Sequence, residues 1–279
     1  MATRFIVLPV FVNIGELLHT SRKSFMMTSM KYVRFEKNHA VGYGILDGET
    51  IKVLDKNFLE GAKEIGETLS AGSVQLLAPV VYSKECCIGL NYRDHAEEFH
   101  LPIPETPVVF LKPSTALLGP EAKIHFPEFS KHLDYEAELA VVIGKTAKDV
   151  EKQDAFSYIF GYCCANDVTA RDLQPKQGQW TVAKGFDTFG PIGPFIETEI
   201  DPSNLHLESR VNGVVKQSSN TSNLIFDVPY LVWYLSHVMT LLPGDIISTG
   251  TPSGISKLDH GDTVEVRVEG LGTLRNTVD

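Results

Sequence analysis

Beyond residue 29, apolar and polar residues alternate in short runs broken by turn-forming residues. From Met30, "KYVRFEKNHAVGYGILDGETIKVLD" alternates on either side of "NHAVG" and "DGE", which predicts short antiparallel strands joined by tight turns. The next stretch, "FLEGAKEIGETLS", reads as a short helix. Pro79 marks a boundary, so residues 30–80 read as a small β-rich N-terminal domain and residues 81–279 as a main domain beginning near "KECCIGLNY". In the main domain, strand-like runs recur at "VVFLKP", "ELAVVIG", "IFGYCCANDVT", "GPFIE", "LHLESRVNGVVKQ", "DIISTGT" and "DTVEVRVEGLGTLRNTV". Helical pattern is confined to "YRDHAEEFH", "AFSYIF" and "VPYLVWYLSHVMTL". The chain is therefore expected to be mainly β with some α, without the strand-helix alternation of a doubly wound sheet.

Composition narrows the functional classes. With 43% hydrophobic and 22% charged residues in 279, an ordinary globular core is expected. A formal net charge of -10 and the lack of a dense Lys/Arg run argue against nucleic acid as a partner. Cysteines occur as two adjacent pairs, Cys86-Cys87 and Cys163-Cys164. Strand neighbours face opposite ways, so each pair is expected to be buried free thiols in a reducing compartment. Residues 1–29 carry Arg4, Arg22 and Lys23 against the single acid Glu16, and their apolar stretch is broken by Pro9. This extension reads as sequence upstream of a beginning near Met30, with a mitochondrial transit peptide as the alternative. The expected location is the cytoplasm, with no membrane association.

The run "DYEAELA" at 134–140 carries the first chemical signal. In an extended strand Asp134, Glu136 and Glu138 share one face, and the run continues into the apolar "VVIG". Carboxylates crowded beside a core repel one another and lose hydration, a conflict that a divalent cation resolves. All-oxygen donors suit Mg²⁺, Mn²⁺ or Ca²⁺ rather than zinc. A solvent-facing edge strand with harmless acids is the alternative. In "GYCCANDVTARD", Asp167 ends an apolar strand, where its carboxylate either joins that set or forms an Asx-turn or N-cap. In "DHAEE", His95 and Glu98 share a helix face, as a base and its orienting acid or as an ordinary surface pair. Lys184 lies among apolar and small residues in "TVAKGFD", and a buried ammonium needs a nearby anion. The loop "GTPSG" lacks the Gly-Lys-Ser/Thr ending of a phosphate-binding loop.

Taken in order, "CIGLNYRDHAEEF", "VVFLKPSTALLGP", "DYEAELAVVIG", "GYCCANDVTARDLQ", "AKGFDTFGPIGP", "NLIFDVPYLVWYLS" and "LLPGDIISTGTPSGI" resemble the fumarylacetoacetate hydrolase family from about residue 84 to the C-terminus. The leader from Met30 is similar to the small N-terminal β domain of many members. The resemblance implies a mixed β-sandwich or β-roll catalytic domain, a homodimer, and Mg²⁺ or Mn²⁺ held by Glu136, Glu138 and Asp167. It implies a small keto-acid substrate of the acylpyruvate type, cleaved at a carbon-carbon bond through a metal-stabilised enolate. His95 and Glu98 would activate water, Lys184 would contact substrate, and Gln174 and Thr251 would add hydrogen bonds. Lys112 matches a family position as a substrate contact or a support of the fold. Some members have Arg where this chain has Leu90, so a substrate carboxylate would need another cation, such as Arg93 or Arg171. Oxaloacetate decarboxylation and isomerisation of a 2-hydroxyhepta-2,4-diene-1,7-dioate, a reaction of aromatic catabolism, use the same enolate and are the alternatives. A non-catalytic metal-binding protein is the remaining class, and it would be expected to lack at least one of these residues.

Overall fold

The computed structural model describes residues 29–279. The N-terminal extension, with its alternative readings, therefore lies outside the described residues apart from Ser29.

The leader forms the predicted antiparallel meander. Strands Lys31–Lys37, Ala40–Asp47 and Thr50–Leu54 pair in sequence order. The first turn places Asn38 and His39 at φ 51° and 64°, the left-handed pair that lets a two-residue hairpin follow the twist of its strands. "FLEGAKEIGETLS" departs from the helix expected of it. Only Phe58–Glu60 makes a 3-10 turn, capped by Asn57, and Glu64–Ser70 is a strand paired with Thr50–Leu54. This strand is almost wholly exposed, so no buried face imposes a period on its sequence. Lys152–Tyr158 is likewise a 3-10 segment that leads into strand Ile159–Asn166, in place of the helix read at "AFSYIF".

The meander does not end in a sheet of its own. Strand Lys31–Lys37 pairs with Gly190–Glu197, Tyr32 lying opposite Ile196, and this joins the leader to one twelve-stranded sheet. From Gly190–Glu197 the order continues through Ile159–Asn166, Ala137–Ile143, Ile246–Ser248 and Glu85–Gly89 to the edge strand Val108–Lys112. A five-stranded sheet containing His206–Val211, Val214–Asn220, Thr263–Val268 and Thr273–Val278 packs against it. Strand Ala137–Ile143 shows the layering most clearly. Leu139, Val141 and Ile143 face a core shared with Leu207, Val266, Leu274 and the helix α3, Val228–Val238. Ala140 and Val142 face the opposite core, with Leu54, Phe58 and Val80 of the leader. All seven residues are buried, which explains the near-continuous apolar run. Helix α3 is capped by Asp227, which accepts from the Tyr230 amide at 2.8 Å, and it docks through Leu231, Val232 and Leu235. Among the described residues no helix is long and apolar enough to cross a membrane. All four cysteines are buried and free.

Candidate active site

Three strand ends and two short helices converge at one end of the central strands of the large sheet. Ala137–Ile143 begins there, Ile159–Asn166 finishes one residue before Asp167, and Ile246–Ser248 runs into the Thr249–Gly254 turn. Helices α1 (Arg93–Glu98) and α2 (Thr181–Lys184) stand around them.

Glu136, Glu138 and Asp167 each contribute a carboxylate oxygen to a group lying within 4.8 Å of one another, all buried. Glu138 lies in strand Ala137–Ile143, and Glu136 lies just ahead of it, its amide donating to Asn166 Oδ1 at 3.0 Å. The Asp167 amide donates to the Glu136 carbonyl at 2.9 Å, which brings in the third. Asp134 departs from the expected common face. The strand breaks at residues 135 and 136, and Asp134 pairs instead in a small sheet with Thr169 and Lys257. Its carboxylate accepts from Arg171 Nε at 2.7 Å and lies 2.8 Å from His132 Nε2. The interruption is anchored by Tyr135, fully buried, whose hydroxyl donates to the Gly254 carbonyl at 2.9 Å.

Charge compensation around the cup is uneven. Lys184 Nζ donates to Glu136 Oε2 at 2.8 Å and Asp167 Oδ2 at 2.7 Å, and Arg171 donates to the other oxygen of Glu136. Burial alone would raise the Glu136 carboxyl, but Lys184 and Arg171 outweigh it and hold it below the usual carboxylate range. Among the described residues Glu138 has no such partner. It accepts the Gly250 amide at 2.8 Å, and burial followed by the charges of Asp167 and Glu136 pushes its carboxyl well up. Lys184 is the mirror case: burial would lower it, and Asp167 and Glu136 raise it.

The remaining predicted residues fall into two groups. His95 Nδ1 lies 3.5 Å from Glu98 Oε2, as helix spacing requires, and Glu98 also accepts the Gly254 amide at 3.2 Å. Burial lowers the His95 imidazole, against the opposing pull of Glu136 and Glu98. Gln174 reaches the site through Arg171, which donates to its Oε1. Thr251 is engaged on both sides, donating to the Ala137 carbonyl at 2.9 Å and accepting from Gln217 Nε2 at 2.8 Å. Lys112 is fully buried, donates to the Lys184 carbonyl at 2.6 Å and lies 2.8 Å from Asp167 Oδ1. That places it beneath the cup. Arg171 was legible only as an available cation, whereas here it ties Asp134, Glu136 and Gln174 together. Sequence reasoning missed Gln217 and Glu85. Gln217 accepts the Ala137 amide at 3.0 Å from a fully buried position. Glu85, also buried, takes hydrogen bonds from Tyr82 at 2.9 Å and Ser248 at 2.6 Å. A charged or amide residue inside an otherwise apolar strand, as in "ECCIG", was the available signal.

The cup fits a hard divalent cation on its own chemistry. Its donors are all carboxylate oxygens, and among the described residues Glu138 lacks a cationic partner and Asp167 Oδ1 makes no well-directed hydrogen bond, although Lys112 is close.

The chain matches the fumarylacetoacetate (FAA) hydrolase C-terminal family over residues 84–279 and the Rv2993c-like N-terminal family over residues 30–79. It is 42% identical to the 2-hydroxyhepta-2,4-diene-1,7-dioate isomerase from Mycobacterium marinum, with a TM-score of 0.83 over 89% of this chain and 98% of that one. It is 40% identical to the mitochondrial oxaloacetate tautomerase fahd2 of Xenopus laevis, over 83% of this chain and 76% of that protein. Maleylpyruvate hydrolase from Sphingobium sp. SYK-6, solved with manganese(II) and pyruvate, is 29% identical, with a TM-score of 0.75 over 89% of this chain and 98% of that one.

Proposed function

The chain belongs to the fumarylacetoacetate hydrolase family, whose members are enzymes, and we propose that it enolises small 2-oxo acids of the oxaloacetate class. The observation that carries this reading is the buried carboxylate cup with the His95-Glu98 pair beside it. Glu136, Glu138 and Asp167 would hold Mg²⁺ or Mn²⁺, and such a cation supplies the Lewis acidity that polarises a 2-oxo oxygen. Burial favours the neutral His95 ring, which suits it to take a proton from the carbon next to that carbonyl. Glu98 orients the ring and offsets the charge it acquires. Lys184, between Glu136 and Asp167, adds a fixed positive charge where negative charge develops on oxygen. Returning the proton to oxygen completes tautomerisation; returning it to a different carbon completes an isomerisation.

Hydrolytic carbon-carbon cleavage is the second reading. It is favoured by the same pair, since a base with an orienting acid also activates water, and by the likeness to maleylpyruvate hydrolase. Proton transfer comes first because it needs one base and a stabilised enolate, whereas hydrolysis also needs a placed water. The relatives named for tautomerisation or isomerisation are also the more similar ones, at 40% and 42% identity.

The test is to follow the enol absorbance of oxaloacetate, and pyruvate release from acetylpyruvate and fumarylpyruvate, with Mg²⁺, Mn²⁺ or EDTA. Faster enol-keto exchange that EDTA abolishes is expected. Cleavage of an acylpyruvate without tautomerase activity would put hydrolysis first, and inertness toward all three compounds would refute the enolate reading.

A further inference from the structure

Asn91 stands between the carboxylate cup and α1, and none of the chemistry above uses it. Its side chain is fully buried. Nδ2 donates to the Thr249 carbonyl at 2.7 Å and the Phe226 carbonyl at 3.1 Å, and Oδ1 accepts the Phe226 amide at 2.8 Å. The Asn91 carbonyl accepts the Ile225 amide, also at 2.8 Å. Both amide hydrogens and the acceptor are thus engaged by backbone groups from two other segments.

The groups it joins are the ones that set the site. Thr249 precedes Gly250, whose amide holds Glu138. Gly250 is at φ +101°, and a Cβ there would lie 2.8 Å from the Asn91 Cβ, so turn and side chain are in direct contact. On the other side, Leu90 is held at φ 51°, a left-handed conformation that a branched apolar residue adopts only where its surroundings enforce it. That corner aims the chain from strand Glu85–Gly89 into Tyr92 and α1. An apolar side chain would fill the same space but leave the Phe226 and Thr249 carbonyls without these donors.

We propose that Asn91 is a positioning residue: it clamps the start of α1 to the Thr249–Gly250 turn and so fixes His95 and Glu98 relative to Glu138. The proposal rests on the reading of His95 as the base. A clamp of this kind acts on rate more than on affinity, because it holds a reacting group and not the substrate.

The experiment uses the full chain with Asn91→Ala and the milder Asn91→Ser, which keeps one hydrogen-bonding group. Amide hydrogen exchange reads the clamp without substrate. Residues 93–98 should exchange at least about tenfold faster relative to residues 137–143 in the alanine variant, and less so in the serine variant. Kinetics then read the consequence in a double-mutant cycle with His95→Ala. In the wild-type background Asn91→Ala should lower kcat about 10–100-fold with KM within about threefold, and in the His95→Ala background it should cost less than about threefold. Unchanged exchange at α1 in both variants overturns the clamp. Equal losses in both backgrounds make Asn91 merely structural and overturn the positioning role. If His95→Ala alone leaves turnover intact, the base assignment falls, and the exchange data still decide whether Asn91 holds the helix.

Discussion

Burial strips hydration from a charged imidazole, and for His95 this outweighs the upward pull of Glu136 and Glu98. The neutral ring is therefore available as a base at pH values where an exposed histidine is partly protonated. His95→Ala should reduce turnover by about 10²–10⁴-fold, the usual contribution of a positioned acid-base group. Glu98→Gln tests the environment as well as the residue. Glu98 favours the protonated ring, so its neutralisation should move the acidic limb of the kcat/KM profile to lower pH. A limb that stays in place or moves up would separate Glu98 from the His95 titration. This pair was legible from sequence because three residues on a helix return to one face. Glu136 and Glu138 were legible as two acids leading into an apolar run, although the strand itself begins only at Ala137. Arg171 was not, because its partners Asp134 and Glu136 are 37 and 35 residues away and meet it only once Leu133–Asp134 pairs with Thr169–Ala170. Asp134, a supporting neighbour more than a ligand in the sequence reading, meets Glu136 through Arg171 and not along a common strand face, because its strand breaks where Tyr135 is drawn to Gly254, a contact across 119 residues that local periodicity does not encode.

Elements with a buried face announced themselves, and those without one did not. Ala137–Ile143 and α3 each bury an apolar face, and both match the strand and the helix that their patterns predict. Glu64–Ser70 has scarcely any buried side chain, so pairing with Thr50–Leu54 decides its conformation and the helical reading failed. Close packing between the central strands is less visible still, because it depends on what glycine omits. A Cβ on Gly161 would lie 2.4 Å from the Glu197 carbonyl oxygen, which belongs to the neighbouring strand and cannot rotate away. Gly161→Ala should therefore push Ile159–Asn166 and Gly190–Glu197 away from each other within the large sheet. A loss of about 1–3 kcal/mol is expected for overpacking of this kind, or about 2–4 °C in Tm per kcal/mol for a chain of this size. Calorimetry checks it, and an unchanged Tm would show that the strands can separate at no cost.

Across the whole molecule, site and stability are coupled, because the sheet that forms the core also carries the carboxylates. The leader adds its strands to that sheet through Tyr32 and Ile196, which makes the contact expected across the Pro79 boundary a strand pairing. Metal and pH should therefore act together on folding. Glu138 lies above the ordinary carboxylate range, first through burial and then through Asp167 and Glu136. As pH rises through that range, the unfolded chain loses this proton before the folded one does, so in metal-free protein this group costs stability as pH increases, while His95, lowered by burial, works the other way over the ordinary imidazole range. Glu136 has the opposite sign. It is depressed, its contribution is intact above the ordinary range and is lost only as pH falls below it, so it does not offset Glu138 in the same window. A bound cation needs ionised ligands, and its stabilisation should grow with pH. At about 100 times its dissociation constant Mn²⁺ should add about 2.7 kcal/mol, which corresponds to about 5–10 °C in Tm at about 2–4 °C per kcal/mol. The gain should be larger near pH 8 than near pH 5.5, both about a unit or more from neutrality. Thermal melts in EDTA and in Mn²⁺ at both pH values check this. Glu138→Gln supplies the control, since it removes the raised carboxyl along with one ligand: its metal-free stability should no longer fall as pH rises over this window, leaving the opposite slope of His95, which burial lowers, and its Mn²⁺ response should be small. A Mn²⁺ gain that is equal at both pH values would mean that binding displaces no proton between them, and would overturn a raised Glu138 carboxyl among the ligands in this window.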